Sequence, residues 1–309
     1  MIVAYFLAFV LAQAPSSPVI VRPSPCVGVA GAASANVWER AKEPGLRRFC
    51  DVLASGMAKL AGGGALIGDL LAIADDADKR MPGRAEPYVL RGRALVQAGR
   101  ADEALSALRE AAARDERVMD DPSTLLAWSR ANARTHHVDE AVRAYRAVLP
   151  RTTALPIQER AAASFEAGML MMSLGPKELE TASAMLRQAR RDAQDALYVA
   201  SVVATALAED RAGERDEARA SLLSRSTGIG NFAGDPRVVR ALEDAGVPEE
   251  GDALVALALE ASDPASARRA WRRYLDGPAG KRAWTSHARA HESQAPSEVA
   301  AKRRGAAAR

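Results

Sequence analysis

Residues 88–111 read YVLRGRALVQAGRADEALSALREA, and the spacing inside this stretch decides the fold. Tyr88, Gly92, Leu95 and Gly99, then Ala104, Leu108 and Ala111, recur at steps of three and four, the period of a helix face, with no sustained alternation of the kind a strand needs. Gly99 divides the pattern into two helices, because glycine adopts the left-handed backbone of a helix end without steric cost. Asp102 and Glu103 open the second helix, where carboxylates meet the positive end of the helix dipole. Ala104 then starts its buried stripe, and Gly92 lets the first helix lie close to it.

Working outward, the tripeptide Asp-Glu-Ala returns at 102–104, 139–141 and 216–218, each time opening an amphipathic helix. A second unit spans Leu125 to Val148, with His136 standing where Gly99 stands in the first. A third carries Gly168, Met171, Gly175, Ala182, Leu186 and Ala189, with two extra residues in its turn. A fourth runs through Ala206, Gly213, Ala218 and Leu222. The key alanines 104, 141, 182 and 218 are 37, 41 and 36 residues apart. Before them, residues 37–84 read as a divergent first helical pair. After them, Ser224 to Pro236 reads as a Gly-rich loop. Asp252 to Glu260 and Pro264 to Leu275 follow as a weaker pair with Ala267, Trp271 and Tyr274 on its stripe, and Trp284 lies on a terminal capping helix. The pattern predicts an all-α protein whose repeats occupy 85–225 and whose divergent C-terminal part occupies 226–293.

The series Tyr-x3-Gly-x2-Leu-x3-Gly-x4-Ala-x3-Leu-x2-Ala resembles the tetratricopeptide repeat, a pair of antiparallel helices. The resemblance implies a right-handed superhelical solenoid with the first helix of each pair on the concave wall. In the family's frame the groove positions are Glu86, Val89, Arg93, Val96 and Gln97 in the first unit, and Ser123, Leu126, Arg130, Ala133 and Arg134 in the second. The third unit offers Ala162, Phe165, Met169, Met172 and Ser173, and the fourth Ala200, Val203, Leu207, Asp210 and Arg211. One end of the groove is then cationic and the other apolar. This implies a protein or peptide partner, an acidic or C-terminal segment, whose charge meets Arg93, Gln97, Arg130 and Arg134 and whose apolar anchor meets Phe165, Met169 and Met172. Val89 and Arg93 replace the Lys and Asn with which some family members clamp a terminal carboxylate, so that particular clamp is not expected.

The chain has 309 residues, 48% of them apolar and 26% charged, with 42 basic against 39 acidic side chains. That near balance argues against a protein built to coat nucleic acid. Of the basic residues 36 are Arg, which suits carboxylate binding but also follows from coding bias. The apolar run Ile2 to Leu11, followed by Ala12-Gln13-Ala14, predicts an export signal over 1–14, with a retained N-terminal membrane anchor as the alternative. Residues 15–36 read as an extended segment and 294–309 as a basic tail. In an oxidising compartment Cys26 and Cys50 can pair; in a reducing one they are a free thiol and a small core residue.

No nucleophile elbow, phosphate loop or dinucleotide fingerprint occurs in the sequence. His136 and His137 are adjacent, and His287 and His291 are one helical turn apart, but Ala288 and Arg289 break the HExxH pattern. The sequence therefore predicts a noncatalytic scaffold of the cell envelope with no cofactor and no metal, the alternative being a metal-dependent or enzymatic module built on one of the two histidine pairs.

Overall fold

The structure, a computed structural model, describes Cys26 and residues 45–223, 232–278 and 282–294. The expected leader, the extended segment apart from Cys26, and the basic tail beyond Gln294 lie outside the described residues. Fourteen α-helices and four short 3-10 segments account for most of these, and no strand occurs among them. None of the described helices is long and apolar enough to cross a membrane.

The helices form consecutive packed pairs: α1 (Leu46–Ala61) with α2 (Ile67–Arg80), α3 (Glu86–Gln97) with α4 (Ala101–Arg114), and α5 (Pro122–Arg134) with α6 (Val138–Val148). Next come α7 (Ile157–Ser173) with α8 (Leu179–Asp192) and α9 (Asp195–Arg211) with α10 (Arg215–Leu223). A lone helix, α11 (Pro236–Asp244), precedes the last pair, α12 (Glu250–Leu259) with α13 (Pro264–Asp276), and α14 (Thr285–Gln294) packs on α13 as a cap. Short turns between packed partners make each pair antiparallel, and successive pairs stack into a solenoid.

Pair geometry follows from small residues at fixed places. A Cβ at Gly92 would lie 2.6 Å from Leu108 Cγ and 3.4 Å from the Ala104 carbonyl oxygen; at Gly168 it would lie 2.7 Å from Leu186 Cγ and 3.2 Å from the Ala182 carbonyl oxygen. The two units thus repeat one contact, in which a glycine of the first helix receives a leucine of the second. Ala104, Ala141 and Ala182 are fully buried and Ala218 nearly so. Leu108, Tyr145 and Leu186, each four residues further along, are also fully buried, as a face repeating at i and i+4 requires.

The turns repeat too. After α3, α5 and α9 the backbone passes through left-handed residues at Gly99 (φ 78°), His136 (φ 60°) and Gly213 (φ 90°). Each turn closes with the same long bond: Arg100 N–H to the Leu95 carbonyl, His137 N–H to Asn132, and Glu214 N–H to Glu209, all at 2.9 Å. This is the glycine-type helix stop that satisfies orphaned carbonyls, and His136 fills its left-handed position in place of glycine. The third turn departs from the pattern with its extra residues, which form the 3-10 segment Pro176–Glu178 after Gly175.

The loop expected from Ser224 to Pro236 is described only at its far end. Residues 224–231 lie outside the described residues, Phe232–Gly234 is a 3-10 turn, and Pro236 begins α11. Asp235 caps that helix by accepting from Arg237 N–H at 2.8 Å, and proline at its first position needs no donor. The same Asp-Pro start opens α5 at Asp121-Pro122 and α13 at Asp263-Pro264.

Replacing Gly92 with Val should cost about 1 to 3 kcal/mol in urea unfolding, because the side chain must displace Leu108. Replacing the exposed Gly68 in the first turn of α2 with Ala, which meets nothing within 4 Å, should instead gain up to about 1 kcal/mol. Equal midpoints for the two variants would contradict the close approach of α3 and α4.

Candidate functional site

The first helices of the pairs line one side of the solenoid, and α11 lies on that side, packed against α5, α7 and α9. Its inner face carries Val238, Ala241, Leu242 and Ala245, all buried, while Val239 is turned outward. These residues join Phe165, Met169 and Met172 in one core cluster in which the three are 0% exposed. That corrects the expectation of an apolar anchor surface at Phe165, Met169 and Met172: the chain's own helix covers the wall they belong to.

The cationic end is partly covered as well. Arg130 makes a two-pronged pair with Glu166, Nε to Oε2 at 2.9 Å and Nη2 to Oε1 at 2.8 Å, and it lies 3.9 Å from Asp244. Arg134 Nη2 is 2.8 Å from Asp244 Oδ1, and Arg240 Nε donates to Asp244 Oδ2 at 3.2 Å. The Tyr145 hydroxyl sits between Glu166 Oε2 at 3.1 Å and the Asp244 carbonyl at 3.2 Å, and it can donate its one proton to either. Asp244 thus closes a cluster in which Glu166 is 1% exposed and Arg134 11%. Burial opposes the charge on Arg130, but Glu166 and Asp244 outweigh it and hold the guanidinium pKa above its ordinary value. Burial pushes the Glu166 carboxyl up, with Arg130 opposing, and lifts the Tyr145 phenol too. Arg130 and Arg134 are therefore paired within the chain, which corrects the expectation that they present free charge to a ligand.

Two further contacts fix α11. Arg240 Nη2 donates to the Val96 carbonyl at 2.8 Å, reaching back to the end of α3. Gly246, with φ 69°, lies against the Ala133 backbone, where a Cβ would stand 2.7 Å from the carbonyl carbon. Glycine is needed there twice over, for its conformation and for the closeness of the approach.

What stays open is a cleft of about 410 Å³ between α3, α5, α7 and α11. Arg93, Gln97, Ser123, Arg130, Arg237 and Arg240 contribute its polar wall. Of the expected groove residues, the structure thus brings Arg93, Gln97 and Arg130 to one opening. Gln97 is exposed; Arg93 is partly buried, and its Nη1 lies 3.7 Å from Met57 Sδ. Among the described residues no carboxylate pairs with Arg93.

The histidines divide. His136 and His137 are exposed in the turn before α6, and His137 Nδ1 meets Thr135 Oγ1 at 2.9 Å. His287 and His291 instead pack against Asp210 of α9, with Nε2 to Oδ2 distances of 2.6 and 2.9 Å. Burial works against the Asp210 charge, yet the two histidines beside it hold its carboxyl far below the usual range. Burial depresses His287, and it opposes charge on His291 too, but Asp210 and Glu260 raise His291 to about 9. Cys26 lies beside Cys50 of α1 in bonding geometry, their Cα atoms 4.9 Å apart.

Sequence reasoning missed Glu166, Asp244, Tyr145 and Arg240. The Asp235-Pro236 start and the apolar spacing 238, 241, 242 and 245 signal α11, but nothing local says that it folds back onto α5.

No family profile matches the chain, and no curated protein does. Among solved structures, the crystal structure of the APC/C hetero-tetramer Cut9–Hcn1 is similar, with 13% identity and a TM-score of 0.40. The match covers 85% of this chain and 52% of that one, so this chain corresponds to about half of it. The repeated helix pairs themselves define the class: an all-helical repeat protein of stacked antiparallel pairs.

Removing the carboxylate in Asp244→Ala leaves Arg134 and Arg240 without it, and should cost about 3 to 5 kcal/mol. Glu243→Ala, at a side chain 51% exposed and 3.8 Å from Arg134, should cost under about 1 kcal/mol. Hydrogen exchange at 245–247 should accelerate in the first variant only.

Proposed function

We propose that the protein is a noncatalytic helical-repeat scaffold that binds an acidic segment of a partner protein, a C-terminal one included, at the mouth of its groove. Arg93 carries this reading. It lines the cleft, it has no carboxylate partner among the described residues, and a planar guanidinium in a partly desolvated wall is suited to a two-pronged bond with a carboxylate. The surroundings do not cancel its charge, with three further arginines against three carboxylates along the lining. The cleft's volume falls in the range of small-ligand sites, which suits a short segment entering beside α11 rather than a long helix lying along the groove. Gln97 and Ser123 supply neutral hydrogen-bonding groups at the rim.

Photo-crosslinking from position 97 in native cells, followed by mass spectrometry, would recover the partner. Reversal of charge in Arg93→Glu should then weaken binding of the recovered segment by about 10- to 100-fold, the scale of a desolvated ion pair. Arg151→Glu, at an exposed side chain outside the paired helices, should change it less than about threefold. Similar small effects from both would remove the cleft as the site.

We also propose that this scaffold works in the cell envelope after export. The apolar run with its small-residue border supports this, as does the confinement of both cysteines to the N-terminal part, where they stand within bonding reach. Intact mass of material from native cells should show a start near residue 15 and two fewer hydrogens than the dithiol. A retained Met1 or two free thiols would remove the proposal.

A further inference from the structure

The second cluster of chemistry lies at the opposite end of the described solenoid. Asp210 stands one residue before the end of α9; His287 and His291 are one turn apart on α14. One ligand atom from each of the three lies within 4.8 Å of the others. Asp210 and His291 are buried, at 5% and 7% exposure, and His287 is partly so.

His291 is oriented from outside as metal-binding imidazoles usually are. His291 Nδ1 faces Glu260 Oε1 at 2.7 Å, and Trp271 Nε1 donates to that same oxygen at 2.8 Å. Glu260 therefore fixes the ring so that Nε2 points at Asp210, and a carboxylate on the far nitrogen is the recurrent support of a ligating histidine. Trp271 stacks 5.1 Å from the His291 ring and meets the His287 ring edge-on at 6.0 Å, while Trp284 meets His287 at 6.1 Å. The rings have little freedom to turn away.

Protons alone leave the cluster poorly satisfied. His291 Nε2, though 2.9 Å from Asp210 Oδ2, is buried and makes no aligned hydrogen bond. Both imidazoles converge on a single carboxylate oxygen. A cation between the three groups would accept a lone pair from each Nε2 and from the carboxylate, leaving His291 with one proton, on the nitrogen that faces Glu260. Tetrahedral coordination with bonds of about 2.0 to 2.1 Å needs ligand atoms about 3.4 Å apart. The distances of 2.6 and 2.9 Å must therefore open by roughly half an ångström or more, which rotation of the Asp210 carboxylate away from the rings can supply.

Neighbouring charge permits this. Arg211, next to Asp210, is neutralised by Glu250 at 2.8 Å. Arg215 approaches Asp210 only to 3.8 Å and is 56% exposed, so it can withdraw.

We propose that Asp210, His287 and His291 form a binding site for a divalent transition-metal ion of the zinc class, with Glu260 as the positioning residue. Two imidazoles and one carboxylate select borderline ions over magnesium or calcium. The ion ties α14 to α9, joining the C-terminal cap to the pair of α9 and α10, and leaves a coordination position for water. This inference is independent of the peptide cleft.

The test uses the full chain stripped with chelator and titrated with Zn2+. The expected result is one ion per chain, a rise in melting temperature, and an affinity lowered at least about 100-fold in His287→Ala and His291→Ala. Glu260→Gln should weaken binding about 10- to 100-fold, while the double variant His136→Ala, His137→Ala should bind as before. Absence of stoichiometric uptake, or equal affinity in the wild-type chain and His287→Ala, overturns the site. Co2+ loading of the unsubstituted chain needs no variant to fold: intense visible bands of low-coordinate cobalt are expected, and a spectrum unchanged from aqueous Co2+ overturns the proposal.

Discussion

Four charges taken out of water govern the concave side: Arg130 and Arg134 on α5, Glu166 on α7 and Asp244 on α11. Each alone would cost several kcal/mol to bury. Together they are tolerable because the geometry is two-pronged at Arg130 and because the Tyr145 hydroxyl is placed to donate to Glu166. Asp244 is the member that arrives from elsewhere in the chain, carried by a helix of nine residues. A helix so short has little stability alone. It persists because its apolar face covers the wall of α5, α7 and α9, and that wall in turn depends on it to close the charge cluster.

This arrangement changes what the solenoid offers to a partner. An empty groove would present a long trough with an apolar half. Here the apolar half has become interior, and the proposed recognition is confined to an opening whose edges are one repeat wall and one side of α11. Specificity in the proposed function then rests on charge and hydrogen bonding, since the large apolar side chains are buried in internal packing.

The sequence made the repeating parts legible because they are local. Gly92 with Ala104 and Leu108 lies within one helix pair, and the Asp-Glu-Ala starts and the left-handed stops sit at fixed offsets from it. Even the placement of His136 in a glycine position could be read from the register. The groove assignment was legible in direction, since Arg93, Gln97 and Arg130 do share an opening, but not in occupancy. Asp244 is more than 100 residues from Arg134, and no periodicity records that meeting. The same holds for Asp210 and His287, 77 residues apart: helical spacing brings His287 and His291 to one face, and only the packing of the cap brings the carboxylate. A repeat frame assumes that each unit touches its neighbours, so contacts that skip units are the ones it misses.

Those skipping contacts bear on how the chain reaches this state. A plain solenoid can nucleate at any unit and spread to adjacent ones, fraying from its ends, because its interactions are close in sequence. The bond from Arg240 to Val96 spans 144 residues, and the seat of Gly246 on Ala133 spans more than 100. Four helix pairs must be formed and aligned before α11 finds its place, so loop-closure entropy is lost before the contact repays it. Docking α11 is accordingly a late and slow event. Once it has occurred, the units between Val96 and Arg240 no longer open independently, and an array built from separable modules acquires the all-or-none unfolding of a single globule.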